Sequence, residues 1–177
     1  MNGKLGIKYT RVNYWVRYDY TLLEDWSVWI PESAIPQHLR FLRPFENQWF
    51  RVEWKVNEKG ALGILFTVRK GYAWDGATVV PDAGAVEGSC VHDPGYQFAT
   101  AIAAAWGWSV VCVLDFFDHA FLAIMRLAHC RVARLYFDGV QLLGCGFWYI
   151  AHFREWMGGK KVTDGQVTNG RTTGGTP

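Results

Sequence analysis

Segments ahead of about Val68 place apolar residues at every second position, and beyond residue 84 the pattern gives way to long, strongly apolar runs. This switch of period constrains the fold of the 177-residue chain more than any other feature. In YWVRYDYTL, the residues Tyr14, Val16, Tyr18, Tyr20 and Leu22 alternate with Trp15, Arg17, Asp19 and Thr21. In FRVEWKV, Phe50, Val52, Trp54 and Val56 point one way, while Arg51, Glu53 and Lys55 point the other. NEKG supplies a turn, and Leu62, Ile64, Phe66 and Val68 continue the apolar face, so the segment 49–69 is expected to be an antiparallel hairpin. Residues 70–84, KGYAWDGATVVPDAG, are rich in glycine and turn formers and read as an ordered surface connection.

Beyond that connection the spacing predicts three helices. One covers about 85 to 105, interrupted or started near Pro94; one runs from an N-cap at Ser109 to about Ala128; one covers about 131 to 156. The expected fold class is α+β: an N-terminal antiparallel sheet with hairpins, followed by a three-helix C-terminal half. The length suits a single domain over 1–163, mainly β over 1–69, loop over 70–84 and helical over 85–157. The polar, Gly/Thr-rich residues 164–177 read as a flexible tail.

With a formal net charge of +2 and no dense Lys/Arg run, the chain lacks the basic footprint of a nucleic-acid binder, so no nucleic-acid partner is expected. The apolar stretches 99–114 and 139–153 both fall short of the roughly 20 residues that cross a bilayer, and no transmembrane segment is expected. MNGKLGIKYTRVNYW has no apolar core, so no signal peptide is expected either. Cys90, Cys112, Cys130 and Cys145 lie far apart with no C-x-x-C pair, and read as reduced, packed thiols; a disulfide or thiolate ligand is the alternative.

Polar groups inside the apolar runs are the candidates for chemistry. Asp115, Asp118 and His119 stand at i, i+3 and i+4 and share one helix face, either as a site or as a polar stripe at the surface. His92 and Asp93 are adjacent in GSCVHDPGYQF. Either they begin an acid–base or metal site, or His92 is a hydrogen-bonded core residue and Asp93 an N-cap before Pro94 at the first helical position. Asp75 in WDGA is a turn residue, unless its loop carries the carboxylate over the helices.

GYAWDGATVVPD, then VHDPGYQF, then FDHAFLAIMR with ARLYFDGVQLLGCGFW, together resemble the small phage and prophage family known as domain of unknown function thirteen-fifty-three. Its members carry D-G-A-S-x-P, H-D-x-x-Y and A-D-x-x-F motifs in that order, matching here over roughly residues 66 to 150. The resemblance singles out Asp75, His92, Asp93, Tyr96 and Asp118, and implies a phage origin. It departs at Thr78 (serine in the family), at Phe117 (alanine) and at Pro94-Gly95 in a stretch that is helical in the family. The H-D-x-x-Y string is also similar to that of secreted phospholipases A2, in which a histidine activates water and the adjacent aspartate binds calcium. Gly95 stands here where those enzymes have cysteine.

Two functional expectations follow. In the first, the chain is a phage-associated, metal-dependent hydrolase: one divalent ion is held by Asp75, His92 and Asp118, catalysis involves His92, Asp93 and Tyr96, and Asp115 and His119 are supporting or alternative ligands. In the second, it is a non-catalytic virion or host-interaction protein whose His and Asp residues form a structural network. Its partner would then be a phage virion or host protein. Both place it in the cytoplasm of the infected cell or in the virion.

Overall fold

The structure, a computed structural model, describes residues 5–11, 20–41, 43–75 and 85–156. The fold is α+β. The strands are β1 (Tyr9–Arg11), β2 (Tyr20–Leu22), β3 (Trp26–Pro31), β4 (Phe45–Glu46), β5 (Phe50–Val56), β6 (Leu62–Val68) and β7 (Ala73–Trp74), and the helices α1 (Val86–Gln97), α2 (Ala99–Trp106), α3 (Val110–Leu127) and α4 (Ala133–Trp156). All pairings between these strands are antiparallel, in one sheet of order β1-β2-β7 and a second of order β3-β6-β5-β4.

The expected hairpin is β5–β6, in register from Phe50 opposite Val68 to Val56 opposite Leu62. Asn57 builds its turn: the Oδ1 accepts from the backbone N–H of Lys59 and of Ala61, both at 3.0 Å, and Gly60 takes the left-handed φ of 78° that the turn needs. Alternation decides the buried face, since Phe50, Val52, Ile64, Phe66 and Val68 are fully enclosed, while Val56 and Leu62 at the tip are exposed. Strand β3 was not expected, although Trp26, Val28 and Ile30 are buried with the same period of two. Strand β7 falls inside the expected connection and pairs with β2. Residues 14–19 of the first expected strand, residues 76–84 including Thr78, and the expected tail lie outside the described residues.

The first expected helix is two. The break is at Phe98, which leaves helical geometry at φ −102° and ψ 14° and is buried in the main core. Pro94 does not start α1 but lies within it, so Asp93 is no N-cap. The missing N–H of proline removes one intrahelical bond, and the helix continues through it. Ser109 caps α3 as expected, its hydroxyl accepting from the Cys112 backbone N–H at 3.2 Å.

Helices and sheet share one aromatic core. Phe50 and Phe66 meet Phe116 and Phe117 of α3, and Phe41 stacks on Trp106 at 4.5 Å and on Trp54 at 5.1 Å. A second cluster, with Phe121, Met125, Tyr136 and Phe137, joins α3 to α4. Cys90 and Cys130 are buried as expected, Cys112 is exposed instead, and Cys145 lies outside the described side chains.

Candidate functional site: a histidine between two carboxylates

Close approach of α1 to α3 creates the site, and two glycines permit it. A Cβ on Gly95 would overlap the Phe117 ring, and one on Gly88 would overlap Phe121 and press on Met125. These glycines lie seven residues apart on the face of α1 that meets α3, and His92 lies between them. Helix α1 is held against β7 by Trp74, whose indole N–H donates to Ser89 Oγ at 3.2 Å, while Ser89 itself donates to the Val86 carbonyl.

His92 is enclosed by carboxylates on both sides, unequally. Its Nε2 is 3.0 Å from Asp118 Oδ1, and its Nδ1 is 3.4 Å from Asp93 Oδ1, a long contact. The Asp118 side chain is 5% exposed and the Asp93 side chain 25%, so the Asp118 side is the sealed one and the Asp93 side the open one. Asp118 is fixed from further directions: the Tyr96 hydroxyl donates to Oδ1 at 2.8 Å, and the Gln141 amide donates to Oδ2 at 2.8 Å and to Asp115 Oδ1 at 3.0 Å. The Tyr96 ring lies against the imidazole with centroids 4.1 Å apart, and Phe121 covers another side at 5.2 Å.

The electrostatics follow from this enclosure. Burial opposes a charge on His92, but the hydrogen bonds and charges of Asp118 and Asp93 outweigh it, and the imidazole pKa rises to about 9. At neutral pH it is therefore an imidazolium donating from both nitrogens. Burial raises the Asp93 pKa, against the pull of His92 and of the Asp75 backbone N–H, which donates to this carboxylate. Burial lowers the His119 pKa, against the charge of Asp115.

Of the residues expected from sequence, His92, Asp93, Tyr96 and Asp118 form one hydrogen-bonded cluster. Asp75 comes to its edge as an exposed residue that contributes its backbone N–H. Asp115 and His119 form a neighbouring pair, Nε2 to Oδ1 at 3.7 Å, with His38 Nε2 4.0 Å from the other Asp115 oxygen. Gln141 and His38 were missed. The signal for Gln141 was present, since it is the one polar side chain in GVQLLGCG. Among the described residues, no group of three His, Cys, Asp or Glu side chains is placed to hold a metal ion.

An imidazole anchored through one nitrogen by a fixed carboxylate, with its other nitrogen toward a more open side, can move a proton at that second nitrogen. Comparison with known protein families, curated proteins and solved structures gives no match for this chain. The likeness to the phage family therefore rests on its three motifs.

Proposed function

We propose that the protein is a phage-associated hydrolase in which His92 is the acid–base group and Asp118 its orienting carboxylate. The observation that carries this reading is the unequal pair of contacts on the imidazole, 3.0 Å to the sealed, triply bonded Asp118 and 3.4 Å to the more open Asp93. Once pH passes the raised pKa of about 9, neutral His92 Nδ1 takes a proton from a water whose oxygen attacks an ester or amide carbonyl, so turnover should rise with pH through that value. The same nitrogen then returns the proton to the leaving oxygen or nitrogen as its bond to carbon breaks. Asp118 keeps the proton on Nε2 and stabilises the imidazolium between the two steps, while Tyr96 and Gln141 hold Asp118 in place. The attacking water takes the place of Asp93 Oδ1 at the long 3.4 Å contact on Nδ1. Among the described residues these donors do not converge as an ion-binding set; a divalent ion bound here would add polarisation of the attacked carbonyl or the water to the same proton transfer. The phage association rests on the motif resemblance.

The saturation of both ring nitrogens favours a second reading, the non-catalytic virion or host-binding protein, in which the cluster ties α1, α3 and α4 together. The two separate on a panel of aryl esters and chromogenic anilides, assayed with calcium, magnesium or zinc and with EDTA. For a hydrolase, His92→Gln lowers turnover by roughly 100-fold or more while its circular dichroism stays that of wild type. For a structural network, wild type shows no turnover that His92→Gln removes, and the variant loses stability only.

A further inference from the structure

We propose that the α3–α4 turn and the outer face of α4 form a docking surface for an anionic phospholipid membrane, independently of the hydrolase reading. Helix α4 is apolar on two sides. Its inner face buries Ala133, Tyr136 and Phe137, and its outer face carries Leu135, 66% exposed, and Leu142, 82% exposed, one heptad apart and joined by the exposed Val132 and Leu143. Between them Gly139 leaves open space where a Cβ would stand. Over residues 133–143 the leucines of this outer face stand clear of the core that holds the inner face, and an exposed apolar cluster of this kind marks an interaction surface.

The charges beside this face identify what covers it. Arg126, His129, Arg131 and Arg134 are exposed around Leu127, Val132 and Leu135. From His119 to Phe137 the sequence has no aspartate or glutamate. Arg134 is paired with Asp138 at 3.0 Å, which leaves the patch positive through Arg126 and Arg131. Leucines flanked by arginines suit the boundary between acyl chains and anionic headgroups, where a helix lies in the plane of the surface. No helix among the described residues is long and apolar enough to cross a membrane, so the contact is a peripheral one. A second copy would offer this face arginines and a histidine beside its leucines.

The patch is also preformed. Ala128, Cys130 and Ala133 bury the inner side of the turn, the His129 and Cys130 backbone N–H groups donate to the carbonyls of Arg126 and Met125 at 3.0 and 2.9 Å, and His129 is held at φ 54°, uncommon for a residue with a side chain.

Flotation of the full chain with vesicles tests the proposal. It should float with phosphatidylcholine–phosphatidylglycerol vesicles and stay in solution with phosphatidylcholine alone, and added salt should release it. Each arginine near an anionic surface is worth about fivefold in partitioning, so Arg126→Glu with Arg131→Glu should weaken binding roughly 25-fold or more. Leu135→Ser with Leu142→Ser should weaken it about tenfold or more, without touching the core. Val56→Ser at the exposed hairpin tip should change nothing. Failure of wild type to float with anionic vesicles would overturn the proposal, as would equal binding to neutral ones or indifference to the leucine pair. A dimer that the leucine pair dissolves, in a protein that ignores vesicles, would assign the face to a second copy and overturn it too.

Discussion

His92 is the residue on which the account turns, and its charge is a statement about stability as well as chemistry. The folded protein holds the imidazole pKa at about 9, above the ordinary 6.5 of an unfolded chain. A raised pKa means that the folded state binds the proton more tightly. The stabilisation is therefore complete below about pH 6.5 and fades as pH rises through 9, with an upper size on the order of 3 kcal/mol. Denaturant unfolding of wild type and His92→Gln across pH 6 to 10 should show the gap between them narrowing with increasing pH. A constant gap would mean that Asp118 and Asp93 do not hold the proton in the folded state.

Among the elements, α1 and α3 make the site because two glycines let them touch. Gly95→Ala places a methyl group into the Phe117 ring, so the helices must separate or the ring must leave its rotamer, at a cost of about 1 to 3 kcal/mol. The separation would also loosen the His92–Asp118 contact. Thermal unfolding checks the first effect, and a fall of the His92 pKa toward its ordinary value checks the second. An unchanged melting temperature would contradict the close packing. This contact also marks how far the sequence was legible. The motifs pointed to His92, Asp93, Tyr96 and Asp118, and the shared face of Asp115, Asp118 and His119 followed from helical spacing. The helix through Pro94-Gly95 did not follow, because local preference reads that dipeptide as a break, and only the packing of Phe117 explains why a glycine is required there. Gln141 was hidden for a related reason: its role depends on α4 crossing beside α3, which periodicity cannot place.

Across the whole molecule, the sheets position the site through the helices they seat. Phe50 and Phe66 seat α3 through Phe116 and Phe117, while Trp74 of β7 fixes α1 through Ser89, so the distance from His92 to Asp118 is set by a core shared between sheet and helices. The hairpin behind that seat was legible because alternation in FRVEWKV and in the strand after it is local. Strand β3 had the same alternation in WSVWIP, yet its place beside β6 is a long-range pairing. This arrangement gives His92 one nitrogen on the sealed Asp118 and the other on the more open Asp93, and nitrogen NMR of the His92 side chain through a pH titration tests that most directly. The account predicts a pKa near 9 and, above it, a neutral ring that keeps its proton on Nε2 toward Asp118 and loses it from Nδ1. A pKa near the ordinary 6.5, or a neutral ring protonated on Nδ1, would contradict it.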